Sequence, residues 1–247
     1  MRRLRLVVEY DGGDFCGWQR QDNGPSIQAE LERALHELTS EDHFVRGAGR
    51  TDAGVHALGQ VAHTDTTRTI TQRGFHLGLN SKLPRTITVR SVEEVPQSFD
   101  ARLSAQRKLY RYTIWNDPVR SSLRDRHTWH LRPQLDVERM QAAAQALVGR
   151  HDFAAFRAAD CGRDTTTRTL HRLEVKREGG IVTIEVEGDA FLKNMVRIIA
   201  GTLSYVGDGR LAPEGIASIR DGLDRKRAGI TAPAHGLCLV RVDYPPL

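Results

Sequence analysis

The stretch Gly47-Ala48-Gly49-Arg50-Thr51-Asp52-Ala53-Gly54-Val55-His56 places a single carboxylate inside a glycine-flanked, cationic turn. Glycine admits backbone conformations closed to other residues and lets a ligand come close, and Arg50 sets a fixed positive charge two residues from Asp52. A carboxylate held ionised in such a loop can serve as a nucleophile or as a general base. The same loop can also use Asp52 only to cap its own turn, as Asp does readily beside Gly. Two phosphate-loop readings are excluded, because the stretch lacks the Gly-Lys-Ser/Thr ending of a nucleotide loop and its glycines lack the dinucleotide spacing. No metal centre is expected from His56, His63, Asp65 and His76: His56 and His63 are assigned to separate elements, no tight ligand cluster completes the set, and the histidines read as polar surface residues.

The elements that must hold this loop follow from periodicity. Leu4, Leu6 and Val8 alternate with Arg5, Val7 and Glu9 as a strand ending at Asp11-Gly12-Gly13. Ser26 then precedes Ile27, Leu31, Ala34, Leu35 and Leu38 at helical spacing. Phe44 to Ala48 and Gln60 to Thr64 are short strand candidates on either side of the Asp52 loop, a helix runs from Thr71 to Leu83 before Pro84, and Thr86-Ile87-Thr88-Val89 begins another strand. The order is βαββαβ. A linker is expected around Pro96 to Ser104.

Beyond it, Arg107 to Trp115 has strand composition with Lys108, Tyr110, Tyr112 and Ile114 on one face. A helix from Asp136 to Val148 is closed by Gly149, and Leu173 to Arg177 and Ile181 to Val186 flank Gly179-Gly180 as a hairpin. From Ala190 to Tyr205 a helix carries Phe191, Leu192, Met195, Val196, Ile199 and Leu203 on its apolar face, with Lys193 and Arg197 together on the other side. A further helix follows Pro213, and Leu237 to Val242 is the last strand, so the second pattern approximates βαββαβ with one helix inserted. The expected fold is α+β: two ferredoxin-like halves, residues 1–104 and 105–247, a mostly antiparallel sheet, and an active-site cleft between the halves.

The 247 residues suffice for a sizeable core, and a formal charge of +5 favours an anionic partner, nucleic acid being the commonest. From Arg102 to Arg132 eight Lys and Arg residues face only Asp117 and Asp125, with Tyr110, Tyr112, Trp115 and Trp129 interleaved, a pattern suited to phosphates and exposed bases as well as to a solvated basic loop. Cys16, Cys161 and Cys238 are odd in number and form no Cys-x-x-Cys pair, which argues for reduced thiols in a cytosol. The apolar run of Met1 to Tyr10 is broken by Arg5 and ended by Glu9, so it is no signal peptide, and no stretch can span a membrane.

Gly49-Arg50-Thr51-Asp52-Ala53-Gly54-Val55-His56-Ala57 followed by Gly59-Gln60-Val61-Ala62-His63 resembles the signature of the TruA-type tRNA pseudouridine synthases. The resemblance includes Phe15-Cys16-Gly17-Trp18-Gln19. It continues in family order through Phe99-Asp100-Ala101-Arg102, Lys108-x-Tyr110-x-Tyr112, Gly188-x-Ala190-Phe191-Leu192-x-x-Met195-Val196-Arg197 and Ala232-Pro233-x-x-Gly236-Leu237, and so covers essentially the whole chain. It implies Asp52 as the catalytic carboxylate, Arg50 as the residue that helps extract the target base, Tyr110 stacked on the uracil and Arg197 paired with Asp52. It also implies the two ferredoxin-like halves, a symmetric homodimer binding tRNA, no cofactor, and target uridines at tRNA positions 38, 39 and 40 in the anticodon stem-loop. Arg107, Lys108 and Lys193 are expected to hold backbone phosphates. Two departures are visible: Gly162-Arg163 follows Cys161 where Gln and a small residue are common, and Asn194 stands where His is frequent. Neither falls on the three catalytic roles; both bear on loop contacts to RNA.

Isomerising uridine breaks the N1–C1′ bond, turns the base and joins C5 to C1′, with no net redox change. One carboxylate nearly suffices, by attack on C1′, by attack on the uracil ring, or by taking the C2′ proton to give a glycal. An Arg197 ion pair would hold down the pKa of Asp52, and an aromatic face would hold the detached base through stacking of about 1–3 kcal/mol. The Tyr110 hydroxyl can also help remove the C5 proton. From another class, a non-catalytic tRNA-binding or tRNA-folding protein on the same scaffold would fit the basic surface, but Asp52, Tyr110 and Arg197 are all present. A bare RNA-recognition domain would carry stacked aromatics on its own sheet motif, which is not found.

Overall fold

A computed structural model describes residues 1–162 and 164–246, and Arg163 lies outside the described residues. In chain order the elements are β1 (Arg2–Tyr10), α1 (Ile27–Thr39), β2 (Arg46–Gly47), β3 (His56–Thr66), α2 (Gln72–Lys82), β4 (Ile87–Val95), β5 (Arg107–Asn116), β6 (Trp129–Leu131), α3 (Val137–Gln145), β7 (Gly149–Asp152), β8 (Thr167–Glu178), β9 (Ile181–Gly188), α4 (Met195–Gly207), α5 (Gly215–Asp221) and β10 (Leu237–Asp243). The fold is mixed α+β, with mostly antiparallel pairing. The chain divides into two compact units, Met1–Gln106 with Cys238–Leu247, and Arg107–Leu237.

In the first unit, alternation along β1 buries Leu4, Leu6 and Val8 against a core that takes Ile27, Leu31 and Leu35 from α1 and Phe75 and Leu79 from α2. Both helices are capped as their sequences predict, Ser26 accepting from the Ala29 N–H and Thr71 from the Gly74 N–H. Strand β1 is antiparallel to β3 on one side, from Arg2↔Thr66 to Tyr10↔Ala57, and to β4 on the other. The far edge of β3 is shared: β2 pairs antiparallel at Arg46↔His63 and Gly47↔Ala62, and β10 pairs parallel at Cys238↔His56 and Leu239↔Ala57. The two strands expected around the Asp52 loop are therefore unequal. The first shrinks to two residues before the chain turns away, whereas β3 runs back to His56 because β10 supplies it with a second partner there.

Three expectations need correction. The last strand, assigned from sequence to the second half, packs with the first unit, where Asp243 accepts from the Gln106 N–H and Tyr244 lies 5.1 Å from the Phe99 ring. The stretch from Pro96 to Ser104 is no loose linker: Phe99 and Ala101 are buried, and the Arg3 guanidinium donates to the carbonyls of Gln97 (2.7 Å) and Phe99 (2.8 Å). His56 and His63 share β3, where the extra residue between Ala57 and Gln60 interrupts the alternation, and both are buried, at 6% and 7% exposure. Their ring nitrogens are structural acceptors, from the Gly12 N–H at 3.1 Å and the Ala101 N–H at 3.0 Å respectively.

In the second unit β5 lies antiparallel to β9, which continues antiparallel to β8 and then β7, while short β6 runs parallel beside β5. Helix α3, capped by Asp136, packs on β8 and α4. Helix α4 is buried almost all round, only Arg197 and Tyr205 being partly exposed. It begins at Met195, five residues later than its apolar periodicity predicts, because Asn194 takes a left-handed backbone at φ 60°. Phe191, Leu192 and Lys193 consequently belong to the approach and not to the helix.

Burial lowers the pKa of His63 from its ordinary 6.5, with Arg3 adding repulsion, and burial lowers that of His43 as well. The unfolded chain therefore takes up protons first as pH falls through 6.5, so folding stability is full above that value and declines below it. Urea midpoints between about pH 7 and 5.5 should decrease, and His63→Asn, which keeps an acceptor for Ala101 but cannot titrate, should flatten the slope without abolishing it.

Candidate active site

Asp52 opens a turn closed by the Val55 N–H donating to its own carbonyl at 3.1 Å. Gly54 occupies the third position of that turn at φ 77°, a conformation that favours glycine. Gly47 is needed for a different reason, since a Cβ there would come within 2.5 Å of the Trp18 indole. The side chain of Asp52 is half-buried and that of Arg50 exposed.

The backbone around Asp52 is held from several directions. The Ala48 N–H donates to the Val61 carbonyl (2.7 Å), and the Gln60 carboxamide donates to the Gly49 carbonyl (2.8 Å). The Thr51 carbonyl accepts from the Trp18 N–H (3.1 Å), and the Gly54 N–H donates to the Phe15 carbonyl (3.3 Å). Thr51 also shares a 2.8 Å side-chain hydrogen bond with Tyr10, whose hydroxyl burial pushes well above the usual tyrosine range, so it stays protonated.

The segment Phe15 to Trp18 is itself fixed by α1. The Ile27 and Gln28 N–H groups, first donors of that helix, bond to the carbonyls of Gly17 (3.2 Å) and Trp18 (3.0 Å). Gln28 and Glu32 of the same helix grip Val45 at the entrance to β2, the Gln28 carboxamide donating to its carbonyl (3.1 Å) and Glu32 accepting from its N–H (3.1 Å). Neither periodicity nor motif spacing reveals this buttress. The signal present in the sequence is Gly17, which sits at φ 102° and whose Cβ would lie 2.6 Å from the Thr51 carbonyl.

The other expected site residues lie in the second unit. Tyr110 stands on β5 opposite Val186, is 8% exposed, and meets the Phe191 ring edge-on at 5.1 Å. Tyr112, two residues on, is fully buried, and its hydroxyl donates to the Pro233 carbonyl at 2.8 Å. Burial raises its pKa far beyond the tyrosine range, against an opposing effect of Arg197. Arg197 donates through Nε to the Ala232 carbonyl (2.7 Å) and through Nη1 to Asn194 Oδ1 (2.9 Å). Asn194, which the sequence places on none of the catalytic roles, thus bonds directly to one of the residues assigned them. Arg107 approaches Glu187 at 3.4 Å and Lys193 approaches Asp160 at 2.5 Å, while Lys108 pairs across β5 and β9 with Gly188.

The family model described as tRNA pseudouridine synthase matches residues 6–103 and 143–245. The chain belongs to the tRNA pseudouridine synthase family. It is an isomerase acting on tRNA. Asp52 and Arg197 lie inside the matched stretches of the synthase, and Tyr110 falls between them. The chain is 50% identical over 244 residues to the tRNA pseudouridine synthase A of Geotalea uraniireducens, covering 99% of this chain and 100% of that protein. It is 47% identical over 245 residues to that of Ruminiclostridium cellulolyticum, with 99% and 100% covered. Among the described residues no helix of the synthase is long and apolar enough to cross a membrane.

Gly17→Ala should cost about 1–3 kcal/mol of stability, since it strains a left-handed position and pushes on the Thr51 carbonyl. It should also depress tRNA isomerisation, measured by urea unfolding and turnover in parallel. Tyr112→Phe should cost about 1 kcal/mol through the lost bond to Pro233.

Proposed function

We propose that this synthase converts uridine to pseudouridine at positions 38, 39 and 40 of the tRNA anticodon stem-loop, with Asp52 as the catalytic carboxylate. The observation that carries the reading is the Asp52 turn. Its backbone is hydrogen-bonded to β3 and to the Phe15–Trp18 segment, and its side chain stays half-buried. A carboxylate fixed in this way can meet a ribose carbon or its proton with little reorganisation.

In this mechanism Asp52 takes the C2′ proton as the N1–C1′ bond breaks, leaving a glycal and a uracil anion. The uracil turns in place, C5 bonds to C1′, and Asp52 returns its proton to C2′. Loss of the C5 proton and protonation of N1 complete the balance. Tyr110 holds the uracil while it turns, its ring attitude set by Phe191, and its hydroxyl assists removal of the C5 proton. Arg197 supplies the positive charge that keeps the carboxylate ionised.

Arg50, exposed two residues before Asp52, takes the place of the extracted base, and Arg107, Lys108 and Lys193 hold backbone phosphates. The Lys193–Asp160 pair is exposed, so a phosphate can exchange for that carboxylate at small cost, whereas Arg107 keeps its buried partner Glu187 and offers a phosphate its exposed remainder. The functional division sets the carboxylate in the first unit and Tyr110 and Arg197 in the second, Arg107–Leu237. The synthase works as a symmetric homodimer in the cytoplasm, where cysteines outside any pair motif remain reduced.

Tritium release from unmodified tRNA carrying [5-³H]uridine tests the assignment. Wild type should release label with pseudouridine mapping to the three anticodon-arm positions, and Asp52→Asn should bind tRNA yet release none. Release by Asp52→Asn at the wild-type rate would remove Asp52 from the chemistry. Tyr110→Phe should slow release by about 10²-fold or more if the hydroxyl transfers the proton.

A further inference from the structure

We infer that Asn194 is a positioning residue for Arg197, its carboxamide oxygen fixing the direction in which the guanidinium points during isomerisation. The inference rests on the role given above to Arg197.

Arg197 is the third residue of α4, whose first is Met195. A helix N-terminus carries partial positive charge, so a guanidinium in the first turn gains nothing from the helix dipole and is opposed by it. Its placement therefore requires acceptors of its own. The Nη1 group donates to Asn194 Oδ1 at 2.9 Å, the Nε group donates to the Ala232 carbonyl at 2.7 Å, and the Ala232 N–H returns a bond to the Arg197 carbonyl at 3.2 Å. Two bonds from different nitrogens of a planar fork define both the tilt of its plane and its rotation about the side-chain axis. Both acceptors are neutral dipoles, which set a direction without adding a charge.

Asn194 departs from helix-capping practice to make its bond. It stands at the N-cap position, where an Asn side chain ordinarily accepts from a backbone N–H in the first turn, yet its side chain makes no capping bond. Its carbonyl still starts the helix by accepting from the Ile198 N–H at 2.9 Å. Its backbone is left-handed at φ 60°, a conformation Gly would adopt without steric cost. Backbone demand alone would favour Gly here, and helix capping alone would use the side chain differently. The carboxamide oxygen on Arg197 accounts for both departures.

The test uses the full chain and kinetics of tritium release from tRNA. Asn194→Gly removes the carboxamide and accepts the left-handed backbone, so the fold is retained. It should lower kcat about tenfold while KM for tRNA stays within about twofold. In an Arg197→Ala background it should add no further loss, because the two changes break one interaction. Asn194→Asp keeps an acceptor oxygen but sets a negative charge against Arg197, so it should lose less kcat than Asn194→Gly without reaching wild type. Unchanged kcat in Asn194→Gly, equal losses in the Gly and Asp variants, or losses that multiply with Arg197→Ala would each overturn the inference. Wild-type kcat in Arg197→Ala alone would instead overturn the role of Arg197, and the inference with it.

Discussion

Strand β3 is hydrogen-bonded along both edges, by β1 on one side and by β2 and β10 in succession on the other, and the Asp52 turn leads directly into it. A strand paired in this way cannot slip by one residue without moving its buried side chains to the wrong face and breaking three registers at once. Buried His56 and His63 tighten the constraint, because each accepts a backbone N–H from a neighbouring segment. The turn therefore inherits a fixed anchor at its C-terminal end. Its other contacts, to the Phe15–Trp18 segment, inherit theirs from the first turn of α1, whose N–H groups bond to that segment instead of to water. The donors that a helix end leaves over thus hold the loop that carries the carboxylate.

The charge of the chain has two kinds of use. Along the sheets, Arg2 with Glu94, Arg3 with Asp65 and Arg5 with Glu93 tie β1 to its neighbours, and Arg111 and Arg172 converge on Glu185. Arg3 lies at the buried end of this range and also binds two carbonyls, so it anchors the chain between β4 and β5 as much as it pairs a charge. Pairs at the exposed end, such as Lys193 with Asp160, are screened by solvent and are readily exchanged. On the proposed reading a polyanion gains from the second kind and leaves the first intact.

Sequence periodicity located the strands and helices that bury one face against a core: β1, α1, α2 and β4 stand where alternation, Ser26, Thr71 and Pro84 place them. It failed where a boundary depends on a distant partner. Nothing near His56 announces that Cys238 and Leu239 will extend β3, and nothing in the apolar run from Phe191 announces that Asn194 will turn left-handed and delay α4. Strands β6 and β7, three and four residues long, are too short to show a period. The candidate site was legible as residue types and motif order. Its supports were not, because Trp18, Thr51, Asn194 and Tyr112 act through backbone carbonyls and side-chain geometry that spacing does not encode.

Those supports share a chemical trait. Tyr10 and Tyr112 carry hydroxyls whose pKa burial raises, and the buried ring of His63 is pushed towards its neutral form. Each is thereby locked in the protonation state its hydrogen bond requires, Tyr112 as donor and His63 as acceptor at Nδ1. Groups so fixed are poor acids and bases near neutral pH but good struts, since their partners never change role. General acid-base chemistry needs the opposite: a group that gains and loses a proton while its surroundings hold still. The Asp52 turn is hydrogen-bonded to backbone groups and to the Gln60 carboxamide, none of which titrates, so the buried tyrosines and histidine form a mount that suits the role proposed for Asp52.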